Sequence, residues 1–159
     1  MAHALSDLFA SGVVEKTYLA LVRSVPPEQG LIDHPLPPGE ERDEPRVPAR
    51  TAFTRREVFG RYSLVEARPE TGRLHQIRRH LKHLGCPIIG DVSYGKGEHN
   101  RFFREQLDLH RMFLHALRIR FPHPATGAQV DVEAPLPPEL ASTLDRLRAR
   151  AAQPSPWPV

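Results

Sequence analysis

Between Glu70 and Asp91 the chain carries Arg73, His75, Gln76, Arg78, Arg79, His80, Lys82 and His83 with no acid among them. A guanidinium can hold a carboxylate or phosphate through paired donors, and an imidazole or amide can donate or accept in a neutral pocket. Such a run can bind an anion, orient a carboxylate or move a proton. It can equally be the solvated face of an ordinary amphipathic helix. His75, His80, His83 and Cys86 also invite a zinc reading, but no second Cys or carboxylate stands at ligand spacing, so no metal is expected. A second group lies earlier, in Lys16-Thr17-Tyr18-Leu19-Ala20. There Tyr18 reads as a strand tyrosine half-buried in a sheet.

The elements that must hold these groups follow from periodicity. Leu74, Ile77, Leu81 and Leu84 recur at i, i+3, i+7 and i+10, one apolar stripe of a helix. Thr71 is expected to cap its start, and Gly85 followed by Pro87 to stop it. One side of this helix should face a core and the other something anionic. Residues 13–22 read as a strand closed by Pro26-Pro27. Residues 50–58 and 62–68 read as an antiparallel pair joined at Phe59-Gly60-Arg61, and 113–121 with 130–133 as a second hairpin. Short helices are expected around Ala4 to Phe9, within 98–110 and from Pro138 onward. Residues 26–48 hold seven of the 17 prolines and six acids, a composition expected to form an acidic loop without firm order. The sum is an α+β domain with a mixed, mainly antiparallel sheet and flanking helices.

With 159 residues, 40% apolar and 26% charged, the chain suits one domain over residues 1–150, followed by a disordered tail at 151–159. The excess of 22 Lys and Arg over 19 Asp and Glu is modest, so an anionic partner is indicated by segregation of charge and not by its total. One Cys excludes an internal disulfide framework and fits a reducing compartment. Without a basic, apolar leader or a membrane-length apolar run, a cytoplasmic location is expected.

The motifs, taken together, carry a resemblance. Lys16-Thr17-Tyr18-Leu19-Ala20, Thr71-Gly72-Arg73-Leu74-His75-Gln76-Ile77-Arg78, Pro87-Ile88-Ile89-Gly90-Asp91 with Tyr94-Gly95, Leu114-His115-Ala116 and His123-Pro124 stand in an order that resembles the C-terminal part of the RluA-type pseudouridine synthase catalytic domain. Arg78-Arg79-His80-Leu81-Lys82-His83 and His99-Asn100-Arg101 are similar to the tRNA-modifying branch. The resemblance implies isomerisation of uridine to pseudouridine in RNA, most simply a tRNA T-stem uridine, by a monomer without cofactor or metal. It assigns Tyr18 to stacking on the uracil and helping remove its ring proton, and Arg78 to pairing with the catalytic aspartate. Arg73, His75, Gln76, Arg79, His80, Lys82, His83, Asn100 and Arg101 would then contact RNA.

One departure stands beside this. The family's nucleophile lies in a His-Arg-Leu-Asp type motif expected ahead of the Leu5 to Gly12 segment, and these 159 residues contain no such motif. The chain is therefore expected to be the C-terminal portion of the enzyme, inactive by itself, with Arg78 left in the cleft without a carboxylate. The alternative is a non-catalytic RNA-binding fragment.

Overall fold

A computed structural model describes residues 2–41 and 43–153. Six strands, β1 (Glu15–Arg23), β2 (Gln29–Asp33), β3 (Arg50–Phe59), β4 (Tyr62–Pro69), β5 (Leu114–Pro122) and β6 (Gln129–Glu133), form one sheet in the order β2-β3-β4-β1-β5-β6. Every neighbouring pair is antiparallel, so the sheet is not mixed. The four helices are α1 (Ala2–Ser11), α2 (Gln76–His83), α3 (Gly97–Leu107) and α4 (Pro138–Ala151).

The central strands are buried on both faces, which explains why Leu19 to Val22 and Tyr62 to Ala67 do not alternate between buried and exposed positions. On one face Leu19, Leu21, Phe59, Tyr62 and Leu64 pack against Phe103 and Leu107 of α3 and Leu140, Leu144 and Leu147 of α4. Each such side chain, fully buried, contributes roughly 1.5–3 kcal/mol. On the other face Ala20, Val22, Phe53, Val65 and Ala67 pack against Ile77 and Leu81 of α2 and against Cys86 and Ile88. This second layer ends at the half-buried Tyr18, Met112 and Leu114. Beyond them the sheet face is open.

Two expectations are corrected here. Residues 26–48 are not a loosely ordered loop: they contain β2, which pairs with β3 from Gln29↔Thr54 to Asp33↔Arg50, and Ile32 and Leu36 are buried. A few well-placed apolar side chains and a ready strand edge outweigh an acidic, proline-rich composition. The helix of the basic run also starts later than expected. Thr71 does not cap it; its hydroxyl donates to Gln76 Oε1, and His75, in the left-handed region at φ 51°, precedes the first turn. Leu74 therefore falls outside the helix and is 37% exposed instead of lining the core. At the other end α4 runs through Ala151, and Gln153 N still donates to Arg150 O, so order extends past residue 150; the remainder of the expected tail, 154–159, lies outside the described residues.

Candidate active site

The open sheet face and the start of α2 border a cleft of 430 Å³ lined by Lys16 and Tyr18 of β1, Pro69, Thr71 to Arg73, His75 to Arg78, and Met112 and Leu114. No Asp or Glu is among its lining residues. Tyr18 and Arg78, far apart in sequence, are thereby brought to one cavity. β1 delivers Tyr18 because its neighbours β4 and β5 hold it by Tyr18↔Ala67 and Tyr18↔Ala116. The strand register thus fixes which residues face the cleft.

Arg78 is not left without a carboxylate. Its Nε donates to Asp91 Oδ2 at 2.8 Å and its Nη2 to Asp91 Oδ1 at 3.0 Å, a bidentate pair. Asp91 is 1% exposed, and its Oδ1 also accepts from the amides of Ser93 and Tyr94, both at 3.0 Å. Burial pushes its carboxyl up, but the Arg78 bonds and charge and the two amides outweigh this and hold it below the ordinary carboxylate range. The same pair raises Arg78 above its usual value, burial opposing. A carboxylate so enclosed and so fully bonded is an anchor for the guanidinium and a poor nucleophile. Arg78 Nη1 makes no hydrogen bond among the described residues and is left accessible.

The turn that presents Asp91 is tightly built. Asn100 Oδ1 accepts from Gly90 N at 2.7 Å while its Nδ2 donates to Asp91 O at 2.9 Å. Gly90 has φ 83°, and a Cβ there would come within 2.3 Å of Arg111 O. Only glycine fits both conditions.

The other expected RNA contacts divide. Gln76 and His80 are 4% and 0% exposed and cannot meet phosphates. Gln76 Nε2 donates to Arg50 O at 2.8 Å, and His80 bonds Thr51 Oγ1 and His34 O, both at 2.8 Å. These polar groups lie on the buried side of α2, where they bond the start of β3 and the residue that follows β2. Asn100 is likewise committed to the Gly90 turn. Arg79 donates to Pro37 O, Gly39 O and the Tyr94 hydroxyl, tying the 34–48 segment to α2. Arg73, whose Nε donates to Pro48 O, and His75, whose Nδ1 lies 3.3 Å from the Tyr94 hydroxyl, remain at the cleft. Lys82 and His83 are exposed on α2, and His83 stacks on His34 with ring centroids 3.7 Å apart. Arg101 is exposed on α3 and is not a lining residue of the cleft.

Two groups escaped the reading of the sequence. Asp91, the acid that ends the basic run, is the partner of Arg78; its place in the Gly90-Asp91 motif was the available signal. Tyr94 gathers Arg78, Arg79 and Lys82 at 4.8, 5.9 and 5.7 Å from its ring centroid, which nothing in local spacing indicated.

Known proteins resemble this chain along most of its length. Residues 1–83 match the family model described as RNA pseudouridylate synthase. The tRNA pseudouridine synthase C of Vibrio parahaemolyticus is 37% identical over 153 residues, covering 84% of this chain and 62% of the relative. An uncharacterized RNA pseudouridine synthase of Chloroflexus aurantiacus is 44% identical over 146 residues, covering 87% of this chain and 44% of the relative. The chain thus spans 44% to 62% of these relatives' length. Among solved structures, human RNA pseudouridylate synthase domain containing 4 superposes with a TM-score of 0.75 at 27% identity, covering 93% of this chain and 67% of that one.

Proposed function

Because this chain belongs to the RNA pseudouridylate synthase family, we propose that it forms the base-stacking and arginine-bearing part of an enzyme that isomerises uridine to pseudouridine in cytoplasmic tRNA, at a T-stem uridine. The observation that carries this reading is the acid-free cleft shared by Tyr18 and Arg78. A uridine in a stem must leave the stack before its glycosidic bond can be reached, which costs a few kcal/mol, and stacking on an aromatic ring offsets part of that. Tyr18 supplies the ring. Net, the N1 to C1′ bond breaks, C5 bonds to C1′, C5 loses its proton and N1 gains one, so substrate and product have the same atoms. Tyr18 assists removal of the C5 proton. The attacking carboxylate is the aspartate of a His-Arg-Leu-Asp type motif ahead of α1, which these 159 residues do not contain. Arg78, aimed by Asp91, keeps Nη1 for that carboxylate and favours its ionised form. Arg73, His75, Lys82, His83 and Arg101 serve the RNA backbone.

A second reading, an RNA-binding fragment without chemistry, draws support from the Arg78 to Asp91 pair, since Arg78 has a carboxylate partner with no nucleophile in place. The two are separated by incubating tRNA with the 159-residue chain and with a longer version carrying the aspartate motif, then mapping pseudouridine by reverse-transcription stops after carbodiimide treatment. The short chain is expected to form none, the longer one to form it, and Arg78→Met in the longer one to abolish it. Pseudouridine formed by the short chain would refute the placement of the nucleophile. A longer version that binds tRNA and isomerises nothing would favour the second reading.

A further inference from the structure

Lys16 stands where three depressions of the surface meet. They are the cleft over Tyr18, an apolar hollow between Phe9, Ala116, Ile119 and Val132, and a polar hollow between Ser11, Gly12 and the 69–73 segment. Its ammonium makes no ion pair and no hydrogen bond among the described residues; it lies 5.8 Å from the Phe9 ring centroid and within 4.0 Å of the position a Cβ on Gly72 would take. The neighbouring acids are engaged elsewhere, Glu15 with Arg120 and Glu70 with Arg50, each at 3.5 Å. A half-buried cation loses hydration, and here no acid compensates the loss. The place is therefore suited to an anion that arrives from outside.

The strand fixes what kind. Side chains at i and i+2 leave the same face of a strand about 6–7 Å apart. The bulge between β1 and β5 falls between Thr17 and Tyr18, with the extra residue, Leu117, on β5, so β1 keeps its alternation and Lys16 points to the same side as Tyr18. A cation one step from a base-stacking ring, at the mouth of an acid-free cleft, matches the phosphate attached to a nucleotide whose base lies on that ring. We propose that Lys16 anchors the backbone phosphate adjoining the nucleotide stacked on Tyr18, and so sets the depth to which the strand enters the cleft. The assignment rests on the RNA reading above.

The test compares wild type, Lys16→Met and Lys16→Arg for binding of fluorescein-labelled tRNA by anisotropy across a series of salt concentrations, and titrates each with uridine and uridine 5′-monophosphate. Loss of one phosphate contact should reduce the slope of log affinity against log salt by about 0.7–1 in Lys16→Met, while Lys16→Arg keeps it. Wild type should prefer the monophosphate over the nucleoside, and Lys16→Met should lose that preference with an unchanged melting temperature. A slope and preference unchanged in Lys16→Met, with tRNA still bound, would overturn the phosphate assignment alone. Wild type that binds no tRNA would overturn the RNA reading and this assignment with it.

Discussion

Replacing Asp91 by Asn tests whether the Arg78 to Asp91 pair holds the site together. The substitution keeps the shape and, at Oδ1, the acceptor used by the Ser93 and Tyr94 amides, but it removes the charge that faces the guanidinium and turns the acceptor of Arg78 Nε into an NH2 donor. Breaking a buried ion pair by neutralising one partner costs about 3–5 kcal/mol because the other charge is stranded. The Asp91 side chain is 0% exposed and that of Arg78 is 16%, with Nη1 accessible, so water relieves part of the stranded charge and the lower end, about 3 kcal/mol, applies. For a chain of this length that corresponds to roughly 6–12 °C in melting temperature. Urea unfolding followed by circular dichroism reads it as a lower midpoint at unchanged m. The pH dependence supplies a second reading. A carboxylate whose folded pKa is depressed adds stability above its unfolded value, near 3.8, and that stability is lost as pH falls through the folded value. The acid limb of wild type should be steeper than that of Asp91→Asn. Arg78→Met should also destabilise, and the double variant should lose much less than the sum of the two. A cost of Asp91→Asn below about 0.5 kcal/mol, or strict additivity, would refute the view that this pair is the anchor.

Two further outcomes are expected. Gly90→Ala combines a left-handed backbone with a clash at Arg111 O and should cost well over 2 kcal/mol, whereas Gly12→Ala, at φ 78° with nothing within 4 Å, should cost only about the 1–2 kcal/mol of the backbone strain; equal unfolding midpoints would contradict this account of the turn. His34, His80 and His99 are all held below 6.5, burial being the largest cause in each, helped at His34 by His83, Arg46 and His80. Depressed histidines lend stability above their unfolded pKa and lose it as pH falls towards the folded one, so the urea midpoint should drop between pH 7 and 5.5 and drop less in His34→Gln; a midpoint that rises on acidification in this window would contradict the assignment.

Local chemistry was enough to locate the strands at 15–23, 50–59 and 62–69, the β5 to β6 hairpin and the helices at 97–107 and 138–151, because their periodicities, prolines and glycines act within a few residues. Tyr18 and Arg78 were marked as the pair to bring together by the family resemblance that the motifs carry. It failed where partners come from elsewhere. The 26–48 segment is acidic and proline-rich by composition, yet the free edge of β3 makes Gln29 to Asp33 a strand. Periodicity predicts a helical stripe that includes Leu74, but Gln76 turns back to bond Thr71, Arg50 and Thr51, and the helix begins only at Gln76.

The sequence by itself determined the family-specific string of motifs, the density of cations between Glu70 and Asp91 and the α+β character of the chain, all of which are properties of residue types at fixed spacing. Which of those cations face a ligand was decided only by the tertiary structure. Packing α2 on the sheet buries Gln76 and His80, Asp91 claims two donors of Arg78, and backbone carbonyls at Pro37 and Gly39 claim Arg79. Lys16 is left at the junction of the cleft without an acidic partner among the described residues, because the acids near it are paired with arginines brought from other strands. Spacing states what a side chain is able to do, and long-range pairing states which of its bonds are already made.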